Sequence, residues 1–280
     1  MFTHLTNTTK SIIFYAIAFT LALIAARLPG ITAPLYMSTP LAATALMLFV
    51  VTRDGYTKAG WQSLGLHRLG LRAWGPAVLI PLLALGGAYG VVWATGLADL
   101  AIPATLDGMP VSALFLPAMV VLFIVKVTLT NALGEEVGWR GYLLPRLESL
   151  GWGRAMLLTG LLQAVWHLPL IFSATLYHAE GSRYLTIPLL FLSITLIEGF
   201  FLGYLRLTTG SVWPASLAHA ANNVFWTIFA GFTVGATPLV SEYLAGERGI
   251  LTLAAYTLLV GWWVYRLQRW GRGALTTQPV

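Results

Sequence analysis

The chain has 280 residues, of which 58% are hydrophobic and only 9% charged, and its 16 basic and 10 acidic side chains give a formal charge of +6. A soluble domain needs about 25% charged residues to cover its surface, so a bilayer rather than water must surround most of this chain. The bases are scattered rather than gathered into a patch, which argues against nucleic acid as a partner. With no cysteine, disulfides and thiolate metal sites are excluded.

Spanning a hydrocarbon core takes about 20 mostly apolar residues. Eight stretches approach this, at residues 11–28, 34–52, 73–97, 113–133, 155–172, 186–207, 214–234 and 249–266. They predict an all-α fold, a polytopic transmembrane bundle of about eight helices, forming one membrane domain over residues 1–280. The first stretch follows Lys10 and has no small-residue cleavage site closing its apolar run, so it is expected to remain as a helix. With the N-terminus inside, twelve of the Lys and Arg residues fall in the inner segments, while the outer segments hold only Arg27, Arg183 and Arg248. Because basic loops stay cytoplasmic, both termini are expected in the cytoplasm.

Two connecting pieces carry their own pattern. Trp61 to Trp74 alternates Trp, Leu, His and Arg, as either an amphipathic stretch at the headgroups or a solvated loop would. Residues 141–154 are too short and too polar to span, and are expected to form an interfacial or re-entrant piece.

Ionisable residues inside membrane helices are costly, and their default reading is functional. Five places stand out: Lys126; Glu135 with Glu136; His167; Glu198; and His219 with Asn222 and Asn223. Glu136 and Arg140 are four apart, a spacing at which an ion pair forms on one helix face, while Glu135 is turned about 100° away. One carboxylate is then held by the arginine and the other is free for a different role; the alternative is that all three merely end a helix at the surface. His219 and Asn223 are also four apart, with Asn222 on an adjoining stripe, and His167 has Gln163 one turn before it. A carboxylate can take a proton from water, a histidine can share it, and an amide can stabilise an oxyanion, so the set suits hydrolysis. Neither HExxH nor GxSxG is present.

At these residues the sequence resembles the CAAX protease and bacteriocin-processing family, also called the Abi family. Its EExxxR matches Glu135, Glu136 and Arg140, the histidine of its FxxxH matches His167, and its HxxxN matches His219 and Asn223. The matched region runs from about 113 to 234, the expected catalytic core, and departs from the pattern at Gln163, where the family usually has phenylalanine. The resemblance implies an intramembrane endopeptidase acting on membrane-associated proteins or peptides. Glu135 and His167 would activate water, His219 and Asn223 would stabilise the oxyanion, and Glu136, Arg140 and Asn222 would support them. A metal-free mechanism with no cofactor is favoured; a divalent metal such as zinc would take Glu135, His167 and His219. The GWRGYLLP wording resembles the bacterial branch and hence a bacterial inner membrane.

Lys126 and Glu198 lie outside these motifs. Lys126 is expected to snorkel or pair within the bundle, and Glu198, beside Gly199 and Gly203, to pair structurally or to serve a water path. The competing readings are a non-catalytic immunity or scaffold protein of the same fold, which would not need Glu135, and a small-solute transporter using Lys126 and Glu198.

Overall fold

The computed structural model describes residues 5–275 except 29, 31, 107, 113 and 174–181. Eight long helices follow in the expected order: α1 (Asn7–Ala25), α2 (Pro34–Val51), α3 (Leu71–Ala94), α4 (Leu116–Leu150), α5 (Trp152–Ser173), α6 (Tyr184–Thr209), α7 (Trp213–Gly231) and α8 (Ile250–Leu275). The fold is an all-α polytopic bundle. A short antiparallel strand pair, Asp99–Leu100 with Thr233–Val234, fastens the α3–α4 connection to the end of α7, and a second, Thr105–Leu106 with Met109–Pro110, forms a hairpin within that connection.

Seven of the eight helices are long and apolar enough to cross a membrane, and α7 is the exception. Its composition explains this: His219, Asn222 and Asn223 lower its hydropathy. Burial of Ala215, Ala218, Ala221, His219 and Asn222 shows that protein surrounds it. α7 packs along α3 and against α4, α8 covers α3, α5 packs on α6, and α1 packs on α2.

The expectation for residues 141–154 is corrected. Rather than forming a separate re-entrant piece, they continue α4 as far as Leu150, and the break comes at Gly151, whose φ of +85° belongs to the region that favours glycine. The physical reason is packing. Tyr142, Leu143, Leu144 and Leu147 are buried in the same apolar cluster as Phe14, Trp139 and Trp166, so this stretch has a partner surface and needs none from lipid. Tyr36 ties the cluster together by donating from its hydroxyl to the Trp166 carbonyl at 2.6 Å, and the Trp166 indole donates to Thr39 Oγ1 at 3.0 Å. The Trp61–Trp74 segment includes a short helix, Lys58–Ser63. Its backbone is held to the ends of α6 and α7: Arg206 Nη2 donates to Ser63 O at 3.0 Å and Trp213 Nε1 to Leu66 O at 2.9 Å.

Three wide, π-helical stretches interrupt the helices that matter most for the polar residues. They span Thr128–Ala132 and Val137–Leu143 in α4 and Ile194–Leu202 in α6. Such turns re-aim side chains and recur at functional sites.

α5 and α6 meet backbone to backbone. A Cβ built on Gly160 would lie 2.9 Å from Thr195 Cα and 3.0 Å from Gly199 Cα, and one on Gly199 would lie 2.9 Å from Met156 O. The Gly199–Gly203 spacing noted in the sequence is therefore a helix contact. Gly160→Ala is expected to cost about 1–3 kcal/mol by overpacking. Gly87→Ala, where a Cβ meets nothing within 4 Å, should be neutral or slightly stabilising because glycine is a poor helix former. Melting temperatures of the two detergent-solubilised variants check this, and equal melting points would contradict it.

Candidate active site

The polar residues singled out in the sequence converge from four helices. α4 brings Glu135, Glu136 and Arg140, α5 brings Gln163 and His167, α6 brings Glu198, and α7 brings His219 with Asn222 and Asn223. Glu135 and Glu136 lie within α4 and are buried, so they do not end a helix at the surface.

Arg140 is the centre of the network. Its side chain is 0% exposed, and Nη1 donates to Glu136 Oε1 at 3.1 Å and to Gln163 Oε1 at 2.6 Å, with Glu198 Oε2 at 3.8 Å. The i, i+4 pair read from the sequence is thus formed. Glu136 Oε1 also meets His219 Nδ1 at 3.0 Å, which joins α4 to α7. Glu135 has a different neighbour. Its Oε2 accepts from Gln163 Nε2 at 3.3 Å, and the same amide nitrogen donates to Glu198 Oε2.

The histidines are oriented by what they touch. His167 Nδ1 lies 2.9 Å from the carbonyl oxygen of Gln163. Because a carbonyl only accepts, that nitrogen carries the proton and Nε2 is left with a lone pair. The ring stands edge-on to Trp166, with centroids 4.6 Å apart. No hydrogen bond joins His167 to Glu135, so a proton passing between them would need one intervening water.

Asn222 serves a second network. It accepts from the Tyr256 hydroxyl at 2.7 Å and its amide reaches Asn223 Oδ1 at 3.4 Å and Glu247 Oε1 at 3.5 Å. Glu247 lies in the turn leading into α8, and burial pushes its carboxyl above the usual range. Asn223, one turn beyond His219, lines a cavity of about 200 Å³ between α4 and α7, together with Lys126, Phe123 and Thr227. The structure therefore joins Glu136, Arg140 and His219 directly and brings Glu135 to them through Gln163. His167 and Asn223 are not hydrogen-bonded to either glutamate.

Glu198, expected to pair structurally or to serve a water path, is paired with Gln163 and lies 3.8 Å from Arg140, and Gln163, the departure from the motif, is the residue that links it to Glu135. A carboxylate inside a span was itself the signal, since its default reading is functional. The possible ligands that the described residues bring together differ from the expected set of Glu135, His167 and His219. Glu135, Glu198 and His219 offer ligand atoms within 4.8 Å of one another, and His167 is not among them. α6 approaches α5 closely enough at Gly160 and Gly199 to bring Glu198 in, whereas the His167 ring is turned onto its own helix. Two carboxylate oxygens and one imidazole nitrogen are a donor set that suits a divalent ion such as zinc.

Comparison with known proteins agrees with this geometry. Residues 117–225, from the start of α4 into α7, match the family model described as type II CAAX prenyl endopeptidase Rce1-like. That stretch holds every motif residue named above, Glu135, Glu136, Arg140, His167, His219 and Asn223 among them. No curated protein matches the chain. Over that stretch the sequence is similar to the Rce1-like family model, in line with the resemblance to the CAAX protease and bacteriocin-processing family carried by the three motifs.

Proposed function

We propose that this chain is an intramembrane endopeptidase that hydrolyses peptide bonds of membrane-associated proteins or peptides. The observation that carries the reading is the division of labour between adjacent acids: Arg140 and His219 hold Glu136, while Glu135 receives only the neutral Gln163 amide. Burying two carboxylates beside a third, partly buried one is costly unless they are paired or do chemistry. In this reading residues 113–234 are the catalytic core of a single domain.

Glu135 takes a proton from the attacking water and His167, through its Nε2 lone pair, shares it. The carbonyl oxygen becomes an oxyanion, which His219 and Asn223 stabilise as donors placed one turn apart on α7; its collapse breaks the C–N bond, and the proton taken from water passes to the leaving amine. Glu136 and Arg140 hold the shape of the site, and Asn222 fixes α7 against Tyr256. We take the water to be activated without metal. A divalent ion, if bound, would be held by Glu135, Glu198 and His219 and would supply a more acidic water.

In this reading both termini lie in the cytoplasm, supported by the twelve inner and three outer bases, and the membrane is a bacterial inner membrane, supported by the resemblance of GWRGYLLP to the bacterial branch. Substrates meet the site within the bilayer.

Three outcomes test this. Glu135→Gln, nearly isosteric, should remain folded and lose on the order of a hundredfold or more in turnover of a model peptide. Glu136→Gln and Arg140→Ala should instead lose about 3–5 kcal/mol of stability along with activity, because each leaves a buried charge unpaired. Melting temperature and turnover measured on the same three proteins separate these effects; a fully active Glu135→Gln beside a folded but dead Glu136→Gln would invert the roles. Activity should also survive exhaustive chelation, and loss of cleavage that one stoichiometric divalent ion restores would reverse the metal-free assignment. Finally, reporter fusions after residues 97 and 234 should report the non-cytoplasmic side; a cytoplasmic signal from both would refute the orientation.

A further inference from the structure

Gln163 and Glu198 are two site residues that the motifs do not include, and they are bonded to each other. Gln163 stands where the family pattern has phenylalanine. Its amide is fully used. Oε1 accepts from Arg140, which fixes the orientation of the group, since only an oxygen can face a guanidinium. The nitrogen must then point the other way, and its two hydrogens serve two carboxylates, Glu135 and Glu198. A terminal amide has one acceptor and two donor positions, and here each has a partner.

We propose that Gln163 and Glu198 are positioning residues that act as one unit on Glu135. Gln163 holds Glu135 Oε2, so the carboxylate cannot rotate and its other oxygen stays free for the reacting water. Glu198 is the anchor that keeps Gln163 in that orientation from the far side, with Arg140 on the near side. The chain supplies the necessary closeness. Gly160 lies one turn before Gln163, Gly199 adjoins Glu198, and their backbone contact draws α5 and α6 together at this level. The wide turn at Ile194–Leu202 carries Glu198.

A phenylalanine at 163 would leave Glu198 buried beside Glu135 with no donor between them, so the glutamine and the second glutamate belong together in this chain. The inference rests on the protease reading for its effect on rate, but the coupling between the two side chains does not.

The test uses the full-length protein in detergent and four variants: Gln163→Leu, Glu198→Leu, the double variant, and Glu198→Gln. Gln163→Leu and Glu198→Leu should each lower kcat for a model peptide by about 10- to 100-fold, the scale on which misplacement of a reacting group is felt, with KM changed less than about twofold. The double variant should fall no further than Gln163→Leu, because a unit is lost only once. Glu198→Gln, whose amide oxygen accepts the same hydrogen bond, should recover most of what Glu198→Leu loses. Melting temperatures of the same proteins should show non-additive shifts for the pair. If the parent hydrolyses nothing, the protease reading fails while this stability cycle still decides the pairing, and additive shifts refute it. Parent-like kcat in both leucine variants overturns the proposal. So does a Glu198→Gln as inactive as Glu198→Leu, which would make Glu198 a metal ligand or proton donor instead of an anchor.

Discussion

Arg140 carries a full positive charge with none of its side chain exposed, and a buried ion of this kind is tolerated only where partners replace its hydration. The partners come from three helices. Glu136 supplies the charge on α4, Gln163 an amide oxygen on α5, and Glu198 a second carboxylate at longer range on α6. Its backbone is used as well: the Arg140 carbonyl accepts from Arg206 Nε at 3.0 Å, and Arg206 in turn holds Ser63 in the segment before α3. Removing the guanidinium would therefore leave Glu136 with His219 as its remaining partner and loosen helices that meet through Arg140.

The same constraint explains the polarity of α7. A helix carrying a histidine and two asparagines is a poor lipid-facing element, yet the face that carries His219 and Asn222 is buried in protein. His219 is fixed by Glu136, and Asn222 by Tyr256 of α8. Alanines at 215, 218, 220 and 221 keep it slim enough to sit among α3, α4 and α6. The residues that lower its hydropathy are the ones that bind it to the bundle.

Much of this was legible in the sequence because it follows from local spacing. Apolar run lengths gave eight helices in the right order, and the four-residue interval gave the Glu136–Arg140 pair. What was not legible depended on contacts between distant segments. The role of Glu198 requires knowing that Gly160 and Gly199 touch, and residues 141–150 looked too polar for a span because the cluster that buries Tyr142 and Leu144 is built from α1, α2 and α5. The wide turns at Val137–Leu143 and Ile194–Leu202 leave no periodicity signal, since one extra residue per turn looks like noise in an apolar sequence. His167 was assigned to the metal set from residue type alone; the direction of its ring is set by the Gln163 carbonyl, which no pattern of side chains encodes.

The length of α4 has a consequence for depth. At 35 residues it runs about 52 Å, well beyond a hydrocarbon core of about 30 Å. Glu135 lies 19 residues after Leu116, about 28 Å along the axis. If Leu116 marks entry into the hydrocarbon, the carboxylates sit close to its opposite boundary and far from the bilayer centre. Dryness at that level comes from the surrounding helices rather than from lipid, so a site of this kind can hold its acids away from solvent and still draw on water only a few ångströms away.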